Sequence, residues 1–265
     1  MSDFIMDDPE SSPEMPDVDL GPYIDLPLQA PRRVRIGRGW NWIYDGFGLF
    51  NRGMGVSVGI CLFSMVISIA SNLIPGANLL YVLFSLVFGA GYMMVAHNAF
   101  RYGSIRFNDF FEGFRHQMGQ LVLAEVIYFA FTLGVILLVV IGGVLMIGVS
   151  AFTSGGLEGL DDLTVALAIL LGCAVMMLLL IPLVMLVLFA APLVFFHRVP
   201  AWEALKLSLR ACWLNIWSLS WWGLIALLLL LLGTLMLLVG LLVILPVLQY
   251  SLYMAYRDIF LHDGA

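Results

Sequence analysis

Residues 213–256 read WLNIWSLSWWGLIALLLLLLGTLMLLVGLLVILPVLQYSLYMAY, and no charged residue stands between Arg210 and Arg257. A bilayer core of ~30 Å takes a helix of ~20 apolar residues. The forty-six uncharged positions between those two arginines are too many for one crossing and suit two crossings joined by a tight turn. Arg210 and Arg257 therefore fall on the same side of a membrane. This one stretch makes the chain a polytopic helical membrane protein.

Composition agrees. The chain is 62% hydrophobic and 11% charged, against roughly 25% charged for a soluble domain. A water-soluble surface cannot be built from so few charges. The net charge of -6 is unevenly spread, because Asp3, Asp7, Asp8, Glu10, Glu14, Asp17, Asp19 and Asp25 precede the first Lys or Arg. No basic field for nucleic acid is present. Cys61, Cys173 and Cys212 have neither disulfide nor zinc-site spacing. No cleavable leader is expected, since the first apolar run starts near Met54.

Residues 1–34 are expected to form a disordered acidic tail, because like charges without an apolar stripe cannot offset the entropy of ordering. Arg32, Arg33, Arg35 and Arg38 form a basic cluster suited to anionic headgroups. A six-helix domain is expected over residues 35–260, and 261–265 form the C-terminal end. Its spans fall near 54–73, 79–100, 119–148, 163–196, 213–235 and 238–256. Pro75-Gly76 marks the first turn, and Pro182 and Pro192 are expected to kink the fourth span.

Three short amphipathic segments interrupt the spans. Gly39–Arg52 carries Ile43, Phe47 and Phe50 on one face. Phe107, Phe110, Phe111, Phe114 and Met118 follow helical spacing and predict a helix lying in the interface plane. The third opens at Pro200, with Trp202, Leu205, Leu209 and Trp213 on one face. Asp45-Gly46-Phe47, Glu112-Gly113-Phe114 and Glu203-Ala204-Leu205 can be laid over one another. The chain then reads as three units of amphipathic helix, span, turn, span, with Gly or Ala permitting close helix approach. The competing reading is that any helix entering a membrane starts amphipathic.

All twelve Lys and Arg fall before span 1, between spans 2 and 3, between spans 4 and 5, or after span 6. Such one-sidedness predicts cytoplasmic termini in a bacterial inner membrane.

Few residues could carry chemistry. Glu125 lies within span 3, and an intramembrane carboxylate is a candidate site by default. His97, Arg101 and Arg257 are the expected partners at its level. Three uses stay open: an ion pair stapling spans 2, 3 and 6, a solute or proton site, or snorkelling to the interface. Gln249 and Tyr256, with Tyr250, Ser251 and Tyr253, make a polar face near the end of span 6. His97, His116 and His197 share a level without metal-ligand spacing. No nucleophile triad, carboxylate pair or phosphate loop stands at informative spacing, and no cofactor or metal is expected.

With these residues in view, the chain resembles an uncharacterised family of bacterial six-span inner-membrane proteins. More distantly it is similar to the membrane domain attached to some glycerophosphoryl diester phosphodiesterases. The matching residues are Gly39-Trp40-Asn41-Trp42, Gly46-Phe47-Gly48-Leu49-Phe50, Ile74-Pro75, Phe111-Glu112-Gly113-Phe114, Ala191-Pro192-Leu193 with His197, and Tyr253-Met254-Ala255-Tyr256-Arg257-Asp258-Ile259-Phe260. The resemblance covers about residues 35–260 and implies the six-span fold. It implies no activity, because the phosphodiesterase catalytic domain has no counterpart here.

The leading functional expectation is a non-enzymatic protein that assembles with or supports other membrane components. The alternative is a transporter or lipid-handling protein with a site near Glu125. The expected partners are membrane lipids and other membrane proteins, with no nucleic acid and the oligomeric state left open.

Overall fold

The computed structural model describes residues 27–153, 162–236 and 239–262. Among these the chain is all-α. The first unit holds α1 (Arg38–Asn51), α2 (Met54–Leu73), α3 (Ala77–Leu83) and α4 (Ser85–Tyr102). The second holds a 3-10 turn (Phe107–Phe111), α5 (Glu112–Arg115), α6 (Met118–Thr153), α7 (Asp162–Val187) and α8 (Ala190–His197). The third holds α9 (Ala201–Leu214), α10 (Ile216–Leu235), α11 (Val239–Tyr256) and a π-turn (Arg257–Leu261).

Five continuous segments are long and apolar enough to cross a membrane, and α3 with α4 makes a sixth crossing bent by 47°. The protein is thus a multi-pass membrane protein of three hairpins, each preceded by an amphipathic segment. Gly76 turns the first hairpin at φ +84, where Cβ-free backbone is favoured. The turn expected at 233–240 falls between α10 and α11. A Cβ placed on Gly240 would lie 2.6 Å from the Gly233 Cα, so the two glycines let this hairpin close. The 154–161 loop lies outside the described residues.

Lipid tails are as apolar as leucine, so helices in a bilayer associate through close packing and hydrogen bonds. The three amphipathic segments show both. In α1, a Cβ on Gly46 would meet the Val247 carbonyl oxygen of α11 at 2.8 Å. In α5, a Cβ on Gly113 would meet the Val87 carbonyl oxygen of α4 at 2.3 Å. In α9, Ala204 is fully buried, and Ser208 one turn on donates to the Met185 carbonyl at 2.7 Å and accepts from Phe189 N–H at 3.0 Å. Each amphipathic segment therefore grips the second span of the preceding unit, and the first grips the last. The threefold pattern in the sequence corresponds to a closed ring of contacts.

Two of the gripped spans are broken near the grip, and the third carries a proline there. The α3–α4 break falls at Phe84, and Pro246 precedes Val247 in α11. Between α7 and α8 the cause is direct. The Ser208 hydroxyl inserts between Met185 C=O and Phe189 N–H, a pair that would otherwise bond within the helix. Pro192 adds to it, because its ring crowds the carbonyl four residues back. At Pro182 the helix α7 runs on without a break.

Three expectations are corrected. Residues 107–115 do not form one regular helix in the interface plane. They are a 3-10 turn plus one α-turn, and Phe110, Phe111 and Phe114 pack inward while Phe107 stays exposed. Phe110 is fully buried and stacks on Phe88 at 5.7 Å, while Phe114 packs on Phe84 and Phe88. In α9 the inward face is Ala201, Ala204, Leu205, Ser208 and Ala211, leaving Trp202 and Trp213 exposed. Small residues rather than tryptophans fit the close approach. Of the expected tail, residues 27–34 run as an extended strap against the helices. Gln29 and Arg32 N–H donate to the Phe260 and Ile259 carbonyls at 3.0 and 3.1 Å. Residues 1–26 and 263–265 lie outside the described residues.

Candidate functional site

The C-terminal halves of the second spans (α4, α8, and α11 with its π-turn) meet in the core, inside the ring of amphipathic segments. Their sequences carry polar residues where a lipid-facing helix would not, and these polar groups bond to one another. His97 Nδ1 lies 2.9 Å from the Tyr253 hydroxyl. Arg257 Nη1 donates to the same hydroxyl at 3.0 Å, and its guanidinium lies 3.8 Å from the Phe100 ring centroid. His197 Nε2 lies 2.5 Å from the Tyr256 hydroxyl. Phe196 stacks on Tyr256 and packs against His97, joining the two pairs. Tyr253 and Tyr256 are both fully buried.

Three of the residues singled out from sequence, His97, Tyr256 and Arg257, therefore gather in one cluster with Tyr253 as its hub. The others do not join it. Arg101 is exposed at the end of α4 and reaches the cluster only by its charge, which acts on Tyr253, and Gln249 is half-buried on α11 without a hydrogen bond among the described residues. Glu125 is 2% exposed on α6, beside the Ser85 side chain at the start of α4. Its Oε2 has no hydrogen-bond partner among the described residues. Among the described residues Glu125 forms no ion pair, so the expected staple to His97, Arg101 or Arg257 is absent. The reason is geometric: α6 meets α4 at its first turn, and His97 and Arg101 lie twelve and sixteen residues further along that helix, ~18–24 Å away.

A second polar cluster, not anticipated from sequence, closes the ring. Asp258, 1% exposed in the π-turn, receives Arg32 Nη2 at 2.5 Å, Arg38 Nε at 2.6 Å and Trp42 Nε1 at 3.0 Å. Arg32 Nε also donates to the Asp258 carbonyl at 2.8 Å. A π-turn releases carbonyls from the regular ladder, and here the strap uses them. Two of the four arginines expected at the headgroups are thus spent on an internal acid. The available signal was an Asp directly after an apolar span in a chain with few acids beyond residue 30. Burial raises the Asp45 carboxyl above its usual range, with Arg38 opposing and Asp258 adding.

Chemically these clusters bind the chain to itself. Phenol–imidazole pairs, a guanidinium on a ring and a doubly paired carboxylate satisfy one another inside the core. Among the described residues no three His, Cys, Asp or Glu converge as metal ligands. A groove of about 330 Å³ lies elsewhere, between α6 and α7, lined by Val139, Gly143, Ile169, Gly172 and Met176. No family model, curated protein or solved structure matches the chain.

Proposed function

We propose that this is a bacterial inner-membrane protein with cytoplasmic termini that acts without catalysis, by assembling with or supporting other membrane components. The observation that carries this reading is the α6–α7 hairpin. In its most apolar stretch within Met118–Met146 no residue is buried, and α6 packs on α7 more than on any other helix. Gly134 and Gly142 on α6 have open space where a side chain would point, which lets a helix of another protein approach closely. The polar residues, meanwhile, are used in holding the three units together. The family resemblance and the placing of all twelve Lys and Arg at one end support the membrane and the orientation.

The test is in-membrane cross-linking from Leu138, with Gly142 kept and with Gly142→Trp. A single protein partner in fixed ratio, lost in the variant, is the expected result. Cross-links to lipid alone would overturn the reading. Lipid or solute handling is the second reading, favoured by the buried Glu125 and its unpartnered oxygen.

A further inference from the structure

We propose that the elbow between α9 and α10, together with the strap, is a binding site for the phosphate headgroup of an anionic phospholipid. The strap is pinned to this elbow by three hydrogen bonds. Val34 N–H donates to Asn215 Oδ1 at 2.8 Å, Asn215 Nδ2 donates to the Arg32 carbonyl at 2.9 Å, and Ser218 Oγ donates to the Val34 carbonyl at 3.1 Å. Asn215 is 2% exposed, so the anchor is built into the fold.

In an extended strap successive side chains alternate faces. Arg32 and Val34 turn inward, and Arg33 and Arg35 turn outward and are exposed. The four-arginine cluster is therefore divided between two tasks, one half clamping Asp258 and the other half facing outward. Among the described residues neither Arg33 nor Arg35 forms an ion pair, and neither does the exposed Arg210 one turn before the elbow. Flanking Asn215, Trp213 and Trp217 are 69% and 67% exposed. The span begins at Ile216, so this pair stands where water gives way to lipid, the depth at which tryptophan is enriched.

Exposed guanidinium groups on a strap anchored at the start of a span match one kind of occupant, with Trp213 and Trp217 marking the depth of the boundary. The guanidinium fork fits phosphate oxygens, and the indoles fit the glycerol and upper acyl region. A purely topogenic cluster needs neither the anchored strap nor the tryptophans. The expected occupant is a lipid of the surrounding bilayer, selected by its net negative charge.

The experiment uses the full chain in phosphatidylcholine nanodiscs doped with phosphatidylglycerol, with retained lipids counted by native mass spectrometry. Wild type is expected to retain phosphatidylglycerol well above its mole fraction. Arg33→Gln, Arg35→Gln and Arg210→Gln should each lower the enrichment by about fivefold at most, and the triple variant should abolish it. These side chains are exposed, and unchanged thermal stability checks that the fold persists. Arg→Lys at the three positions should keep part of the enrichment, by charge without the guanidinium fork, and fall between wild type and the triple variant. Wild-type enrichment equal to that of the triple variant overturns the proposal. Enrichment that appears only after deletion of residues 1–26 overturns it too, since the acidic segment would then be the natural occupant.

Discussion

Replacing Gly113 by alanine probes the ring where α5 meets α4. The added Cβ would lie 2.3 Å from the Val87 carbonyl oxygen, whereas ordinary contact begins near 3.4 Å. A separation of about 1.1 Å must be made up (3.4 − 2.3 from the same contacts). The obstructing atom is backbone, so no side chain can swing aside. Overpacking of this kind costs ~1–3 kcal/mol. Alanine gains up to ~1 kcal/mol over glycine inside a helix, though α5 is a single turn and recovers little of it. The net expectation is a loss of ~1–2 kcal/mol, or ~2–8 °C in midpoint for a chain of this size. Gly134→Ala is the matched control, because nothing lies within 4 Å of a Cβ there. Its helix gain is unopposed, and its midpoint should hold or rise. The assay is thermal unfolding in one detergent, at one scan rate, since membrane proteins commonly unfold irreversibly. Equal shifts for the two variants would refute the close grip of α5 on α4.

Other perturbations address the polar clusters. Asp258→Asn leaves Arg32 and Arg38 without their carboxylate. Because Arg32 and Arg38 side chains are 35% and 25% exposed, water offsets part of the buried-pair cost, leaving ~2 kcal/mol. The strap should then be cut by trypsin at Arg33 and Arg35 several times faster, and an unchanged rate would contradict the clasp. Burial raises the Asp109 carboxyl above its usual range, with the Asn98 amide (Nδ2 to Oδ2 2.7 Å) opposing. The folded state then holds this proton to higher pH than the unfolded state does. Its contribution to stability falls as pH rises from the usual aspartate range through the raised value, then levels off. Asp109→Asn should remove that slope from a midpoint-versus-pH curve, and an unaltered slope would assign it to another group. Glu125→Gln should leave the midpoint unchanged or raise it, because no ion pair is lost and a charge-bearing group leaves the core. A fall of several degrees would restore the staple between spans.

The hairpins were legible in sequence because bilayer thickness sets their length and one-sided arginines set their order. The close packing of the amphipathic segments was legible from Gly46, Gly113 and Ala204, since small residues there have a packing reason. What the sequence did not show was where side chains met across the chain. The Phe107–Met118 spacing reads equally well as a face toward lipid or toward protein, and only the position of α4 decides it. Glu125 was assigned partners by depth along the helices. The α3–α4 bend and the entry of α6 beside Ser85 place His97 and Arg101 far from it. The strap escaped notice because arginines before a span read as topogenic. The pairing of Arg32 and Arg38 with Asp258 joins positions more than two hundred residues apart. Tyr253 and His197 carried a weak signal, polar groups near span ends, that also fits a membrane boundary.

The most direct test of the assembly reading is native mass spectrometry of the protein extracted gently from its own membrane, as wild type and as Glu125→Gln. A second polypeptide in fixed ratio with both forms is the predicted result. A bare chain carrying a small solute that disappears with Glu125→Gln would contradict it and make Glu125 the centre of a transport or lipid-handling site.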